Sequence, residues 1–405
     1  MRLKRLLPAL MLLSTTPALA EKSPASLKKD PELWVTLGTD TVESVRESFR
    51  SVGWEEPTQE LVKGEATMFR VRESQLEKLA TLMHEKFNRC AGFMTYETRD
   101  EAIASLTPAP ALATQNLVTY TLDNAATATA LMSSMTEANV RSTITLLAGY
   151  TTRYYTSTTG VNAVNALRSK WQGFIPAGRT DASVALFTHA AWAQPSVIFT
   201  IRGSTLPDEV VVVGGHLDSI SSGSTAPGAD DNASGIASFT EVIRVAMLRN
   251  YRPQRTVKFI GYAAEEVGLR GSKEIAAWHK NNGINVVGVL QLDMTNYKGS
   301  SVDAAIITDY TNAAQNTFLR NIITTRAGYT HTNSTCGYAC SDHASWTNQG
   351  FAASIPHEAT VSAGNRYIHT SSDTLTNSGG TANHALKFAR IAASYVAELA
   401  KGTAQ

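Results

Sequence analysis

The chain has 405 residues, and its 36 Lys and Arg side chains are balanced by 35 Asp and Glu. This balance gives no electrostatic reason to expect nucleic acid or an anionic membrane surface as a partner, so small or neutral partners are expected. The length exceeds one average domain and fits an α/β domain of about 250 to 300 residues with a smaller unit attached.

The first twenty residues have the features of an export signal. MRLKRLLPALMLLSTTPALA combines three basic residues with a short apolar core and ends in ALA, small residues that a signal peptidase reads. The alternative is a membrane anchor, but the apolar stretch is well short of the roughly 20 residues that span a bilayer. Residues 1–20 are therefore expected to be a signal peptide, in a secreted protein with the periplasm as a second possible destination.

Residues 21–107 are rich in charge, and the stretch VRESQLEKLATLMHEKFNRC repeats apolar residues at helical spacing. This pattern predicts a small α+β unit. The segment SLTPAPALATQN, residues 105–116, is poor in charge and rich in Pro and Ala, which is typical of an exposed linker that a protease can cut. The second domain is expected to span residues 108–405.

The chain has three cysteines. In an exported protein, Cys336 and Cys340 of CGYAC can close a small disulfide loop if their Cα atoms lie within about 7 Å. This pairing leaves Cys90 without a partner, which is unusual for a secreted protein unless its segment is removed.

Beyond residue 117 apolar runs alternate with helical patterns, which predicts an α/β sheet covered by helices. Four consecutive valines, Val210–Val213, are typical of a strand buried on both faces. The predicted strands are 208–216, 255–266, 284–294 and 304–309, and the predicted helices are 233–250, 269–282, 313–328 and 381–402.

Polar residues cluster where these strands end. Ligands of open α/β sheets sit at the carboxyl ends of the strands, so these side chains are expected to converge. Two histidines and three carboxylates suit zinc, and five ligands suit two ions that share a carboxylate. The candidates are His216, Asp218, Asp230, Asp231, Glu265, Glu266, Asp293 and His369.

Each feature alone has a plainer explanation. A Glu-Glu pair is usually a solvated helix start, Asp293 could cap a helix, and GADDNASG (228–235) could be a turn before a capped helix. Their occurrence at successive strand ends favours a metal site. If Glu266 binds a metal, Glu265 can take a proton from an adjacent water.

Six motifs, GGHLDS, APGADDNASG, AAEEVGLRGS, QLDM, CGYACSDHASW and IHT, resemble in order those of the secreted bacterial leucyl aminopeptidases with two zinc ions, of the Vibrio and Aeromonas type. The resemblance runs from about residue 117 to 400. It implies the zinc exopeptidase fold, a single mixed, mostly parallel twisted sheet flanked by helices. It also implies two Zn²⁺ per catalytic domain and Glu265 as general base, with the metal ligands His216, Asp231, Glu266, Asp293 and His369.

The resemblance assigns further roles. It makes Asp231 rather than Asp230 the bridging ligand, with a cis peptide between Asp231 and Asn232. Asp218 would hold the His216 ring and Tyr338 would stabilise the developing oxyanion. Met294, Ile355 and Ile368, with the Cys336–Cys340 loop, would line an apolar pocket for a large first residue. His357 departs from this pattern, because members of the family have an aromatic apolar residue there, so preference among Leu, Met and Phe is not readable from the sequence.

The resemblance also implies that residues 21–107 are a propeptide removed by a processing protease, which fits the lone Cys90. The expected reaction is hydrolysis of the first peptide bond of peptides or proteins with a free N-terminus, by a monomer with no nucleic-acid or membrane partner. The alternatives are a single-zinc relative, such as a glutaminyl cyclase or a carboxypeptidase, and a non-catalytic exported binding protein on the same fold. A serine hydrolase is disfavoured because the chain has no G-x-S-x-G motif.

Overall fold

The computed structural model of the protein describes residues 30–54, 57–63, 66–87, 89, 92–106 and 118–405. The predicted signal peptide, Cys90 and most of the predicted linker lie outside these ranges. None of the helices within them is both long and apolar enough to cross a membrane.

The N-terminal unit, residues 30–106, is an antiparallel sheet with helices packed against it. Its strands are β1 (Glu32–Gly38), β2 (Thr58–Lys63), β3 (Ala66–Arg72) and β4 (Phe93–Tyr96), and its helices are α1 (Val42–Ser51), α2 (Leu76–Phe87) and α3 (Arg99–Ser105). The strand order is β2-β3-β1-β4. Leu33, Val35 and Leu37 alternate with more exposed residues along β1, so one face of the sheet contributes to the core.

The second unit, residues 118–405, contains the main sheet. Its strands are β5 (Ala182–Phe187), β6 (Ser196–Ile201), β7 (Leu206–His216), β8 (Arg255–Tyr262), β9 (Asn285–Gln291), β10 (Ala304–Ile307), β11 (His331–Ser334), β12 (Ala353–Ser354) and β13 (Pro356–His357). Its helices are α4 (Ala125–Ser133), α5 (Glu137–Ala148), α6 (Thr158–Gln172), α7 (Ala233–Leu248), α8 (Arg270–Asn281), α9 (Ala313–Asn321), α10 (His343–Asn348) and α11 (Asn383–Ala400).

The main sheet has the order β12-β9-β7-β8-β6-β5. Strand β7 pairs in parallel with β8 and β9, whereas β6 and β5 add antiparallel strands at one edge. The predicted mixed α/β fold is therefore confirmed. Because β7, β8 and β9 run in one direction, their carboxyl ends lie at the same edge of the sheet.

Both faces of the sheet are buried beneath helices. Val211 and Val213 join the core formed with α5, α7 and α11, whereas Val210 and Val212 join the core formed with α8 and α10. Successive strand residues point to opposite faces, so an unbroken valine run is what a two-sided strand requires.

The strands and helices predicted beyond residue 207 are confirmed, with one difference in pairing. The strand predicted at 304–309 forms as β10, but it belongs to a separate three-stranded sheet of order β11-β10-β13. The short strand β12 occupies the edge beside β9 instead. The helix predicted at 313–328 is α-helical only as far as Asn321, the end of α9. A π turn over Ile322–Arg326 follows it. The sequence patterns of residues 118–201 do not predict the elements α4 to α6, β5 and β6.

The N-terminal unit packs closely against the second unit. Thr95 of β4 donates from its backbone N–H to the Gly268 carbonyl at 3.0 Å and from its hydroxyl to the Val267 carbonyl at 2.8 Å. Gly268 has φ +100°, and a Cβ there would lie 2.2 Å from Thr95 Oγ1. Only glycine permits this approach.

A buried arginine joins the two units. Arg270, at the start of α8, donates to Glu73 and Glu97 of the N-terminal unit, with both N–O distances 2.7 Å. Its guanidinium also lies 4.6 Å from the ring centre of Trp192, a contact typical of cation–π pairing. In addition to the apolar contacts, these ion pairs favour one relative position of the two units at this interface.

Candidate metal centre

The five predicted metal ligands come together at the carboxyl edge of the main sheet. His216 is the last residue of β7, Glu266 follows β8, and Asp293 follows β9. Asp231 lies just before α7, and His369 lies between β13 and α11. All five are buried, with no more than 4% of the residue surface exposed. The convergence expected from the strand ends is therefore present.

Their side chains form two groups. His216, Asp231 and Asp293 make one, and Asp231, Glu266 and His369 make the other, with the ligand atoms of each group within 4.8 Å of one another. Asp231 Oδ1 is 3.0 Å from His216 Nε2, and Asp231 Oδ2 is 3.2 Å from His369 Nε2. Asp231 thus turns one carboxylate oxygen toward each group, which is the geometry of a bridging ligand.

The remaining ligand atoms complete the two groups. Asp293 Oδ1 lies 3.3 Å from His216 Nε2, and Glu266 Oε2 lies 2.7 Å from His369 Nε2. Each group contains one imidazole and two carboxylates, ligands that Zn²⁺ accepts.

The state of these atoms fits a divalent cation. His216 Nε2, both oxygens of Glu266 and Oδ1 of Asp293 are buried and form no well-aligned hydrogen bond within the described ranges. Buried polar atoms in folded proteins are nearly always satisfied, so bound cations would account for this cluster. Burial and the charge of Asp231 raise the pKa of Glu266 to about 7, as expected where negative charges are crowded without a cation.

Glu265 lies beside the two groups without belonging to either. Its Oε2 is 4.0 Å from His216 Nε2, and both its oxygens are buried without a hydrogen-bond partner among the described residues. Burial, with the charges of Asp342 and Glu266, raises the pKa of Glu265 well above its usual value. A nearby dication would oppose this shift. Glu265 is therefore a carboxylate available for proton transfer next to the metal groups.

The two acids of the GADDNASG turn have different roles. Asp230 is buried and accepts from the Asn296 backbone N–H at 2.9 Å and from the Asn365 side-chain amide at 3.0 Å, so it shapes the turn. Asp231 alone enters the ligand groups. The peptide bond between Asp231 and Asn232 is cis, as predicted.

Asp373 accepts hydrogen bonds from the backbone of the same turn. Its Oδ1 accepts from the Asp230 N–H at 3.1 Å, and its Oδ2 accepts from the Asp231 N–H at 3.0 Å. Burial and the charge of Asp230 raise the pKa of Asp373 well above its usual value. The segment that carries His369 thus also orients the backbone of Asp231.

Asp218 connects β7 with the Glu265–Glu266 pair. His216 Nδ1 lies 3.2 Å from the Asp218 backbone carbonyl and 3.5 Å from its carboxylate. The Asp218 carboxylate accepts the backbone N–H groups of Glu265 at 3.0 Å and Glu266 at 3.1 Å. Asp218 therefore contacts His216 and the backbone of Glu265 and Glu266. Its predicted role in holding the His216 ring stays a prediction.

Arg153 is a buried side chain that joins two ligand segments. Its Nε donates to the Leu217 carbonyl at 2.8 Å, next to His216, and its Nη2 donates to the Gly228 carbonyl at 2.9 Å, in the turn before Asp231. Burial lowers the pKa of Arg153 to about 10, so the guanidinium is charged at neutral pH. This one side chain therefore links the end of β7 to the bridging turn.

The predicted apolar pocket lies next to Asp293. Met294, Ile355, Ile368 and Tyr338 line it together with His357. Cys336 and Cys340 form the predicted disulfide and belong to the pocket wall. The three predicted pocket residues, Met294, Ile355 and Ile368, are thus brought together with Tyr338.

The N-terminal unit covers the approach to this site. The His84 ring, near the end of α2, has its centre 4.8 Å from that of His369. The Arg89 guanidinium lies 5.1 Å from the Tyr338 ring centre. Both units line a cavity of about 820 Å³ that includes His84, Phe87, Arg366 and His369.

Sequence reasoning missed Arg153, Asp373 and His84. Arg153 and His84 lie outside every motif, and their roles arise from contacts distant in sequence. Asp373 stands four residues after His369 in YIHTSSDT, so a second acid in a segment already chosen for its histidine was the available signal.

The chain is similar to known peptidases. The profile of Peptidase family M28 matches residues 196–395. The probable leucine aminopeptidase 1 of Trichophyton verrucosum is 35% identical over 310 residues, which covers 72% of this chain and 82% of that protein. Leucine aminopeptidase 1 of Trichophyton rubrum is 37% identical over 290 residues, 67% of this chain and 76% of that protein.

Solved structures extend the similarity. The LapA aminopeptidase of Legionella pneumophila has a TM-score of 0.79 at 26% identity and covers 92% of this chain and 99% of its own. That coverage exceeds the roughly three quarters of the chain that residues 108–405 represent, so it includes part of the N-terminal unit. A glutaminyl cyclase of Fimbriiglobus ruber, with a TM-score of 0.51 and 14% identity over 65% of this chain and 96% of its own, shares the fold alone.

We predict that Arg153→Met weakens metal binding by about 10- to 100-fold, the usual effect of losing a group that orients ligands. The carbonyls of Leu217 and Gly228 would lose a buried donor, which also lowers the free energy of unfolding by about 1 to 3 kcal/mol for each unsatisfied group. Zinc titration with a competing chelator and chemical denaturation measure the two effects.

Arg141→Met is the matched control, because Arg141 is half exposed and pairs with Glu137 one helical turn away, far from the ligand segments in sequence. Normal zinc affinity in a folded Arg153→Met protein would contradict the proposal that Arg153 orients the two ligand segments. Arg153→Lys keeps the positive charge but lacks the planar guanidinium. Its zinc affinity and free energy of unfolding should lie between those of the wild type and of Arg153→Met.

Proposed function

The chain belongs to peptidase family M28 and is a hydrolase that acts as a metallo-aminopeptidase, and we propose that it removes large apolar N-terminal residues of the leucine type from peptides. One observation carries this proposal. Asp231, which belongs to both ligand groups, and Glu265, a buried carboxyl group without a hydrogen-bond partner among the described residues, both lie within 4.0 Å of His216 Nε2, and Asp293 of the same centre lines an apolar pocket.

We propose two zinc ions, one in each ligand group. His216, Asp231 and Asp293 would hold the first, and Asp231, Glu266 and His369 the second. When bound, such a pair polarises the scissile carbonyl and lowers the pKa of an attacking water toward about 7. The buried donor set described above supports this assignment.

Glu265 moves the proton in the proposed reaction. It takes a proton from the attacking water as the water oxygen bonds to the carbonyl carbon. It then passes this proton to the departing nitrogen as the C–N bond breaks, because an amine leaves poorly as an anion. Its buried position limits exchange of that proton with bulk solvent.

Tyr338 and the apolar pocket complete the proposed site. The phenol of Tyr338 would donate a hydrogen bond to the oxygen that gains negative charge. The first side chain of the substrate would enter the pocket beside Asp293, where Met294, Ile355 and Ile368 offer an apolar wall. The names of the Trichophyton relatives support a leucine-type preference.

We also propose that the protein is exported through residues 1–20 and that residues 21–107 are a propeptide that keeps it inactive. The contacts of His84 with His369 and of Arg89 with Tyr338 support this role, since they lie over a metal ligand and the proposed oxyanion donor. A processing protease would cut between the units and release a monomeric enzyme that contains the Cys336–Cys340 disulfide.

Hydrolysis of leucine p-nitroanilide by the processed protein tests the proposed activity. We expect release of p-nitroaniline from the free-amine substrate, none from its N-acetyl derivative, and loss of release after treatment with a chelator. A peptide with N-terminal glutamine serves as a third substrate. Cyclisation of that glutamine without amino-acid release would overturn the proposal in favour of a glutaminyl cyclase, and metal binding without turnover would favour a binding protein.

We predict that Glu265→Gln lowers kcat by about 10²- to 10⁴-fold, the range of a general-base contribution, while zinc content stays at the wild-type level. The amide keeps the shape of the side chain but cannot accept the proton. Steady-state kinetics and elemental analysis of the same sample measure both quantities.

Asp208→Asn is the control, because Asp208 is exposed near the start of β7, at the opposite end of the strand from His216. Near-wild-type turnover of Glu265→Gln would remove Glu265 from the base role.

We predict that Glu73→Gln with Glu97→Gln raises the activity of the unprocessed chain toward that of the processed enzyme. These changes remove both ion-pair partners of Arg270 and weaken the docking of the N-terminal unit. The rate on leucine p-nitroanilide before and after proteolytic processing measures the effect.

Glu43→Gln, an exposed change on α1, is the control within the same unit. After processing, all three proteins should have the same activity, because the substitutions lie in the removed segment. Full activity of the unprocessed wild-type chain would overturn the inhibitory role.

A further inference from the structure

The pocket beside Asp293 is largely apolar but has an imidazole in its wall. Met294, Ile307, Ile355 and Ile368 supply aliphatic surface, and His357 lines the same pocket. A pocket that selects a purely aliphatic side chain gains nothing from an imidazole, because a polar group desolvated without a partner costs free energy. The presence of the His357 imidazole in this wall therefore needs a separate explanation.

Two other polar side chains of the pocket, those of Asp293 and Asn365, make contacts outside it. Asp293 Oδ2 accepts from the Ser341 hydroxyl at 2.6 Å, while its Oδ1 faces the metal groups. Asn365 donates to Asp230 through its side-chain amide and accepts from the Tyr367 N–H at 2.9 Å. Neither Asp293 nor Asn365 can change partners without disturbing the bridging turn or a metal ligand.

The ring of His357 is held in a defined orientation. Its Nδ1 lies 2.8 Å from the Ala359 carbonyl and 3.5 Å from the Ala359 backbone nitrogen, and the shorter contact to the carbonyl favours a protonated Nδ1 that donates. Gly364 packs against the ring, since a Cβ there would lie 3.3 Å from His357 Cε1. The backbone belongs to β13, where His357 is paired with Ala305.

This orientation leaves the second ring nitrogen available. With Nδ1 protonated, the Nε2 of a neutral imidazole is a hydrogen-bond acceptor. Within the described ranges, no residue forms a hydrogen bond with His357 Nε2. The adjacent Glu358 is committed elsewhere, because its carboxylate accepts the backbone N–H groups of Tyr297 and Asn365.

We propose that His357 is a specificity-determining residue that makes the pocket prefer N-terminal tyrosine over phenylalanine. The apolar wall receives the aromatic ring, and Nε2 accepts a hydrogen bond from the phenol hydroxyl. A phenol can both donate and accept, so the pairing also holds if the imidazole is protonated. The inference rests on the proposed aminopeptidase function, because it requires this pocket to receive the first side chain.

The test compares kcat/KM of the processed enzyme on Tyr, Phe, Leu and Glu amides of one fluorogenic amine. The wild-type enzyme should favour Tyr over Phe by about 2- to 10-fold, which corresponds to one neutral hydrogen bond. In His357→Phe this ratio should fall to 1 or below, while the Leu value changes by less than about 10-fold, the smallest effect expected of one methylene in an apolar pocket. His357→Leu is a second apolar variant in case the phenylalanine does not fit.

His331→Phe is the matched control, because His331 belongs to β11 of the same small sheet and does not line the pocket. An unchanged Tyr-to-Phe ratio in either folded variant overturns the proposal, as does a wild-type preference for Glu, which would make the imidazole a cationic anchor. If no free-amine substrate is cleaved, the proposed function itself fails. Cleavage of the Leu amide with no effect on the ratio refutes only the role of His357.

Discussion

The site depends on the orientation of one carboxylate, that of Asp231. Its two oxygens must point in different directions, one toward His216 and one toward His369, which come from segments distant in sequence. Backbone N–H groups of the turn donate to Asp373, and the carbonyl of Gly228 accepts from Arg153. A small rotation of the turn would move Asp231 away from one of the two histidines. The hydrogen bonds of Asp373 and Arg153 to the turn oppose such a rotation.

Crowded negative charge is the cost of this arrangement. Burial raises the pKa of Glu265, Glu266 and Asp342, because desolvation disfavours their charged forms and neighbouring carboxylates add repulsion. Divalent cations would supply the missing charge, and Arg153 adds one fixed guanidinium near the turn. The buried acids are thus explained by the candidate metal site and not by packing of the core. The apolar contacts of the core lie on the two faces of the sheet.

The N-terminal unit and the pocket both lie next to this centre, and each has a separate proposed role. The N-terminal unit approaches through Thr95 at Gly268 and through Arg270, and it places α2 over His369. The pocket, in contrast, belongs to the second unit and is lined by residues of β13 and of the Cys336–Cys340 loop. The proposed control of access and the proposed selection of the first residue would therefore have separate structural origins, and each could be altered without changing the candidate metal ligands.

The sequence by itself determined the parallel strands and four of the eight helices described in the second unit, and it indicated the candidate ligands, because these features depend on local patterns. Valine runs predict two-sided strands, and the residue after a parallel strand lies at its carboxyl edge whatever the neighbouring strands are. Only the tertiary structure decided that β10 joins a separate sheet, that Arg153 and Asp373 hold the bridging turn, and that His84 covers His369. These outcomes depend on contacts between segments far apart in the chain, and neither periodicity nor motif spacing contains that information.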